Sequence, residues 1–353
     1  MKIITKAVKE IPDYNIESIA PKGDVLLFDI ETTGLKKETT QVYLIGCSYY
    51  ENDCWIIRQY LAESAIDEAE VIESFLDLAS NYKVLVHFNG DGFDIPYMKY
   101  KVEYYGFSFN FDDLISFDIY KQAKRLKKFL NMQKMGQKAI EIFLGIERDD
   151  QLNGGLLIPY FYEYEKTGEK ELEDLLLLHN FDDIQGMFKI LAILKYADVL
   201  SGNFEFESYE ECQGFAIFNY RLNNPVPVRY LKELDNFDVI CLEGNLLQIN
   251  RKLYSGEAKY FFPDVENYYY LPEEDRVIHK DVAMFVEKCH RKKATKTNCY
   301  IKKEGVFLAQ EKDLFEPFYH IDCDKKRTYF ELCSEIIQNK ELLKCYALAI
   351  INC

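Results

Sequence analysis

Residues 24–35 read DVLLFDIETTGL, and this stretch decides the fold. Residues 25–28 form a short apolar run, which is typical of a strand buried on both faces. Two acids follow, and the alternation of side chains along a strand puts Asp29 and Glu31 on one face. Buried neighbouring carboxylates repel one another unless cations hold them, so the pattern predicts a metal site. The alternative is that the strand has left the core at Asp29 and that both acids are solvated.

More strands and a helix follow along the chain. Residues 41–50 and 54–60 have the apolar and aromatic composition of strands and are separated by a short polar turn. Together with residues 24–30 they predict an antiparallel meander. Residues 67–79 carry apolar side chains at helical spacing and precede an apolar strand at 83–88, which predicts a crossover back to the sheet.

A further acid, Asp94, lies in the motif HFNGDGFDIPYM at residues 87–98. Gly90 and Gly92 allow the backbone to approach other groups closely, and Pro96 suits the first turn of a helix. The motif therefore predicts a strand, a tight turn and a helix, with Asp94 in the turn. An ordinary helix N-cap is the alternative for this acid when it is considered alone.

The last motif, LLLLHNFDDIQGM, lies in a long helical segment at residues 171–200. His179 and Asp183 are four residues apart and so share one face of the helix. At this spacing a His and an Asp are usually a surface pair. The four leucines at 175–178 indicate instead that this part of the helix enters the core.

The three acid-bearing motifs resemble those of the DEDD (DnaQ-like) superfamily of 3′–5′ exonucleases, which has a ribonuclease H-like fold. The resemblance covers about residues 24–198, and SFDIYKQAK, FLGIERDD and HNFDDI are similar to the YprB-type branch. It implies an α/β domain with a mixed five-stranded sheet flanked by helices. It also implies two Mg²⁺ or Mn²⁺ ions and assigns their ligands: Asp29, which bridges both, with Glu31, Asp94 and Asp183.

His179 departs from the pattern of the superfamily. The histidine branch usually has its His five residues before the last Asp, whereas the tyrosine branch has its Tyr four residues before it. This chain has a His at the tyrosine spacing from Asp183. Because imidazole gains and loses protons near neutral pH, we predict that His179 is the general base.

Several polar residues are candidates for contact with nucleic acid. The most basic helix of the first domain is predicted to run to Lys128, although a run of charges is usually only a solvated face. From this helix and from the neighbourhood of the acidic motifs we predict nucleic-acid contacts by Thr32, Asn89, Lys124, Arg125, Lys128, Lys138 and Arg148. The predicted partner is an end of single-stranded DNA or RNA.

The chain is expected to have an N-terminal arm at residues 1–23, a nuclease domain at 24–200 and a smaller β-rich or α+β domain at 201–353. The boundary follows from Ser201-Gly202-Asn203, after which short strand-like pieces replace long helices. In the second domain, residues 290–303 read HRKKATKTNCYIKK and could hold a nucleic-acid strand by charge and stacking. A simple exposed loop and hairpin is the alternative.

Composition limits the possible functions. The chain has 353 residues and a net charge of −16, which counts against indiscriminate binding of nucleic acid but does not exclude a nuclease with a local basic groove. Ten dispersed cysteines and the lack of a long apolar run predict a cytoplasmic protein that is neither secreted nor membrane-spanning. Two other functions stay open: an inactive binding module of the same fold, and a phosphohydrolase of small nucleotides.

Overall fold

A computed structural model describes residues 1–147, 154–322 and 324–353. The chain divides into two compact units, Met1–Ala197 and Asp198–Cys353.

The first unit is built on a six-stranded mixed sheet with the strand order β1-β4-β3-β2-β5-β6. The pairs β1-β4, β4-β3 and β3-β2 are antiparallel, whereas β5 and β6 run parallel to β2. The strands are β1 Lys2–Val8, β2 Val25–Thr32, β3 Val42–Glu51, β4 Cys54–Leu61, β5 Val84–His87 and β6 Ile115–Asp118. This arrangement confirms the predicted α/β ribonuclease H-like fold and its antiparallel meander.

The sheet has one strand more than the predicted five. Residues 2–8 lie inside the expected N-terminal arm, but they form β1 and pair antiparallel with β4 from Lys2 opposite Leu61 to Val8 opposite Trp55. The pairing covers the open edge of β4, whose backbone N–H and C=O groups would otherwise have no partners from the chain.

Among the described residues, the helices of the first unit and across its end are α1 Glu68–Ala79, α2 Asp94–Tyr105, α3 Ile119–Lys124, α4 Gln137–Leu144, α5 Gly154–Thr167, α6 Lys170–Ile190 and α7 Leu194–Leu200. A 3₁₀ turn at Leu191–Ile193 separates α6 from α7, so the segment predicted at 171–200 is two abutting helices. The basic helix is shorter than predicted. It ends at Lys124, because the chain then folds into tight turns that bury Leu126 and Phe129.

The core of this unit lies on both faces of β2. Residues 25–28 of β2 have no exposed surface at all. Phe28 stacks on Phe75 of α1 with ring centroids 5.4 Å apart, and α1 also buries Val71 and Ile72. Because each fully buried large apolar side chain contributes about 1.5–3 kcal/mol, this packing fixes the end of β2, where the acids begin.

A buried ion pair ties α1 to α2. Nζ of Lys101 lies 2.8 Å from Oε1 of Glu68, and both side chains are 6% exposed. Glu68 also accepts hydrogen bonds from the backbone N–H of Val42 and the hydroxyl of Tyr105, and Lys101 donates to the carbonyl of Thr40. The acid is thereby fully satisfied although it is buried.

The second unit is rich in β-structure, as predicted. A three-stranded antiparallel sheet has the order β7-β8-β9, a closed sheet of four strands has the order β10-β14-β16-β15, and a small sheet has the order β12-β11-β13. The strands are β7 Phe204–Cys212, β8 Phe215–Glu233, β9 Val239–Lys252, β10 Tyr254–Phe261, β11 Tyr268–Leu271, β12 Arg276–His279, β13 Lys292–Lys293, β14 Tyr300–Gln310, β15 Tyr319–Ile321 and β16 Asp324–Glu331. The helices are α8 Lys280–Ala283, α9 Ser334–Gln338 and α10 Lys340–Ile351. Within the described residues, no helix is both long and apolar enough to span a membrane.

Candidate active site

Two acids at the end of β2 begin the candidate site. Asp29 is partly buried and Glu31 is only 7% exposed, although each carries a carboxylate. In β3, Gly46 lies opposite Asp29 and Leu44 opposite Glu31, so the strand is still paired inside the sheet at both positions. The alternative in which β2 has left the core at Asp29 is therefore wrong.

A close group of three side chains joins β2 to α6. Nε2 of His179 lies 3.5 Å from Oε1 of Glu31 and 3.3 Å from Oδ2 of Asp183. One donor atom of each residue lies within 4.8 Å of the others, a spacing that could hold a metal ion. His179 is 4% exposed, whereas 19% of the Asp183 side chain reaches solvent. The shared helical face of His179 and Asp183 thus points at the sheet.

Asn180 connects α6 to the first acid of the site. Its Nδ2 donates to Oδ2 of Asp29 across 3.4 Å, and its Oδ1 accepts a hydrogen bond from Gln59 of β4. The amide lies directly above Gly46, where an added Cβ would come within 2.1 Å of Asn180 Oδ1. Glycine at 46 therefore makes room for the amide, a close approach that no other residue type would permit. Asn180 was not among the residues predicted for the site from the sequence.

Asp94 lies at the first position of α2 and is 7% exposed. Its Oδ1 accepts a hydrogen bond of 3.3 Å from the backbone N–H of Ile30, the residue between Asp29 and Glu31. Burial raises the pKa of Asp94 to about 6, and the nearby charge of Asp118 adds to the rise, whereas hydrogen bonds from backbone N–H groups oppose it. A charged Asp94 is therefore costly when no cation is bound.

A polar network supports the turn that carries Asp94. Oδ1 of Asp118 caps α3 and also accepts from the backbone N–H of Asn89, at 2.9 Å in both cases. Nε2 of His87 lies 2.8 Å from the hydroxyl of Ser116, which donates to Asp91, while Nδ1 of His87 accepts from Gly90.

Burial lowers the pKa of His87, so the ring is neutral near neutral pH and can act as both donor and acceptor. The second oxygen of Asp118, Oδ2, is buried and has no hydrogen-bond partner within the described residues. It adds an unneutralised charge near Asp94. These side chains fix the turn to the ends of β5 and β6.

Tyr43 is a further residue beside the acids that was not predicted from the sequence. Its side chain is fully buried and stacks on Phe161 with centroids 4.4 Å apart. Burial raises its pKa, and the charges of Glu31 and Asp29 raise it further. Its hydroxyl has no hydrogen-bond partner in the part of the chain that the structure describes. The pairing of β2 with β3 shifts register between Glu31, which lies opposite Leu44, and Thr32, which lies opposite Val42. The sheet is therefore irregular at Tyr43.

The residues predicted to contact nucleic acid lie in different settings. The hydroxyl of Thr32 donates to the carbonyl of Gly34, and Asn89 adopts a positive φ of 62° in the turn, so both have local structural roles. The basic candidates with described positions have exposed side chains, namely Lys124, Arg125, Lys128 and Lys138. Arg148 lies outside the described residues.

A cavity of about 520 Å³ lies beside α2. Ile95 and Pro96, the two residues after Asp94, line it together with Tyr100. The remaining lining residues are charged: Lys37, Asp91, Lys99, Glu103 and Lys121. The cavity therefore brings three lysines and the ring of Tyr100 together. Two of these lysines, Lys37 and Lys121, are more than eighty residues apart in the sequence.

The side chains of the site fit hard divalent cations. Carboxylate oxygens are the ligands that Mg²⁺ and Mn²⁺ prefer, and Glu31, Asp94, Asp183 and Asp29 supply them from three separate elements. Bound cations would stabilise the charged form of Asp94, whose pKa is raised by burial. They would also offset the repulsion between Glu31 and Asp183, which lie close together.

Comparisons with known proteins found one family model and several solved structures. Residues 26–195 match the family model described as the RNase_H superfamily. The family B DNA polymerase from the hyperthermophilic archaeon Pyrobaculum calidifontis is similar, with 15% identity and a TM-score of 0.40 over 72% of this chain and 39% of that chain. The zinc-bound complex of E. coli exonuclease I with single-stranded DNA is similar, with 13% identity and a TM-score of 0.29 over 55% of this chain and 54% of that chain. Our chain thus spans between about two fifths and about half of these solved chains. No curated protein matches it.

The first unit therefore has a ribonuclease H-like fold, in agreement with the family model that matches residues 26–195.

Proposed function

We propose that this protein is a metal-dependent nuclease that hydrolyses phosphodiester bonds of single-stranded DNA or RNA, working from the 3′ end. The observation that carries the proposal is the meeting of Glu31, His179 and Asp183, whose donor atoms lie within 4.8 Å of one another at the end of the central strand. A structural role explains this group poorly, because it brings the carboxylates of Glu31 and Asp183 close together in a largely buried place, where they repel each other.

Asp29, Glu31, Asp94 and Asp183 would hold two Mg²⁺ or Mn²⁺ ions. When bound, such a pair of ions supplies a hydroxide nucleophile and stabilises the charge on the leaving oxygen. Asn180 fixes the carboxylate of Asp29 from the side of α6. The backbone of Ile30 fixes that of Asp94. The orientation of both acids is thereby set before any ion binds.

His179 has the position of a proton acceptor. Its Nε2 faces the carboxylates of Glu31 and Asp183, so a proton taken from water at this place is held beside two negative charges.

The cavity beside α2 has the chemistry of a site for a nucleic-acid strand. Lys37 lies over the ring of Tyr100, 5.5 Å from its centroid, and its partly exposed charge can meet a phosphate, whereas Lys121 is paired with Asp91 of the same cavity. Three lysines and two acids line the cavity, so it would neutralise only a few phosphates, which agrees with the acidic charge of the whole chain.

The test is cleavage of 5′-labelled single-stranded DNA and RNA of the same sequence with Mn²⁺, Mg²⁺ or EDTA. We expect a ladder that shortens one nucleotide at a time from the 3′ end, no product in EDTA and none with Asp29→Asn. The matched control is Asp53→Asn, which changes an exposed acid in the turn between β3 and β4.

Three other outcomes would overturn the proposal. A single internal cut would identify an endonuclease. Hydrolysis of mononucleotide esters alone would identify a small-nucleotide phosphohydrolase. Strand binding without cleavage under any metal condition would identify an inactive module of the same fold.

A further inference from the structure

A strongly basic segment lies in the second unit. Residues 276–303 contain nine lysines and arginines but only two acids, within a chain whose net charge is −16. This segment includes β12, α8 and β13 and reaches the start of β14. Such a concentration of positive charge in an acidic protein favours a local anionic partner.

Arg291 joins the parts of this segment into one surface. Its guanidinium lies over the ring of Tyr269 of β11, 5.0 Å from the centroid, and donates a hydrogen bond to the carbonyl of Ala283 at the end of α8. Lys293 of β13 lies opposite Tyr269 in the sheet and so projects from the same face. The residues that follow α8 are thereby held next to the basic edge strand.

Large apolar side chains are exposed beside these cations. Phe285 is 85% exposed and Met284 is 66% exposed, and both directly follow α8. An apolar pair so open to water, next to a stacked Arg and Tyr, is typical of a contact surface.

Several cations of the segment have no acid partner. Arg276, Lys302 and Lys303 make ion pairs with Glu274, Asp275 and Glu331. Within the described residues, the exposed side chains of Lys288 and Lys293 make no ion pair, and the same is true of Lys292 and Lys296. Their charge is therefore available to a partner.

We propose that the Phe285 surface, formed by Tyr269, Met284, Phe285, Lys288, Arg291 and Lys293, binds single-stranded nucleic acid. The lysines contact phosphates and the ring of Phe285 stacks on a base, a combination that tolerates any sequence. That the bound strand is also the substrate of the candidate active site rests on the proposed function; binding of the strand to this surface does not.

A flexible strand fits this surface better than an anionic membrane does. Asp281 and Glu287 flank the apolar residues, and both are exposed. A flat anionic membrane would press both acids against lipid phosphates. A strand can follow the lysines and avoid them.

The experiment measures binding without cleavage. Full-length protein carrying Asp29→Asn is titrated in EDTA against fluorescein-labelled dT20 and U20. The test variant adds Phe285→Ala, Lys288→Glu and Lys293→Glu. The matched control adds Leu342→Ala, Lys312→Glu and Lys340→Glu, which make the same change of charge elsewhere in the second unit.

We expect the test variant to bind at least about tenfold more weakly, through lost stacking and phosphate contacts. Its plot of log affinity against log salt should be flatter by about 1.4, because two phosphate contacts are lost at about 0.7 each. The control should bind like its parent. If the triple variant fails to fold, Phe285→Ala alone, at a position outside the core, should still weaken binding several-fold.

Equal affinity of the test and control variants would overturn the inference, as would a parent protein that binds neither oligonucleotide. Binding to phosphatidylserine vesicles but not to oligonucleotides would overturn it in favour of a lipid surface. If the variant loses strand binding but the unaltered protein never cleaves, the proposed function fails and this inference stands.

Discussion

Asn180 donates a hydrogen bond from Nδ2 to Oδ2 of Asp29, across 3.4 Å, and thereby links helix α6 to the central strand. Because Oδ1 of Asn180 is held by Gln59, the amide cannot turn away from the acid. The neighbour of His179 on the helix is thus a positioning residue for the first carboxylate of the site.

Asn180→Ala should raise the Mn²⁺ concentration needed for half-maximal cleavage by about ten- to a hundredfold, the usual effect of losing a group that orients a metal ligand. Titration of Mn²⁺ by calorimetry and by activity measures this shift. Asn81→Ala, at the exposed end of α1, is the control. An unchanged metal dependence with only a lower melting temperature would show that Asn180 serves packing alone.

His179→Ala should lower turnover by about a hundredfold or more near pH 7, because the proton acceptor facing Glu31 and Asp183 is lost. The defect should shrink as pH rises, since hydroxide increasingly replaces the missing base. Single-turnover rates from pH 6 to pH 9 at saturating Mn²⁺ test both points. Cleavage at the rate of the unaltered protein near pH 7 would mean that metal activation alone suffices.

Asp94→Asn should stabilise the metal-free fold while abolishing cleavage. The pKa of Asp94 is raised to about 6 by burial, above the value near 4 of an unfolded chain. The folded state therefore holds its proton more tightly, and stability is lost as pH rises from about 4 to about 6.

The asparagine avoids this loss, so the variant should be more stable by up to about 3 kcal/mol at pH 7.5 in EDTA, with little difference at pH 4. Urea denaturation at both pH values gives the comparison. If the variant is less stable than the unaltered protein at pH 7.5, the charge of Asp94 does not destabilise the metal-free fold.

Lys101→Met should destabilise the first unit by about 3–5 kcal/mol, because it leaves the buried carboxylate of Glu68 without its counter-charge. Lys99→Met is the matched control. Lys99 lies two residues earlier and pairs with the exposed Asp112, so its loss should cost at most about 1 kcal/mol. Similar urea midpoints for the two variants would show that the buried ion pair contributes no more to stability than the exposed one.

Much of the first unit could be predicted because its signals are local. The apolar runs of β2 and β5 and the helical spacing in α1 are visible in short windows of sequence. Strand β1 was missed because KIITKAV carries two lysines and owes its structure to a partner about fifty residues away. The basic helix was predicted too long because its charges do not reveal that Leu126 and Phe129 turn inward.

The acids of the candidate site were predicted from the resemblance of their three motifs to those of a known superfamily, and their role as metal ligands stays a prediction. Asn180, Tyr43 and Asp118 were not predicted, since each owes its position to contacts between distant elements. One sign was present for Asn180. Gly46 interrupts an otherwise bulky strand, and a glycine in such a place marks a close approach by another group.

The pairing of β1 with β4 determines where a fragment of the first unit has to begin. A fragment that began at residue 24 would leave the seven paired positions of β4 open. An open, ordered edge recruits a strand from another molecule, so such a fragment would self-associate or exchange strands. The smallest autonomous form of the first unit therefore reaches back to Lys2, and its solubility depends on a strand that contributes no atom to the candidate active site.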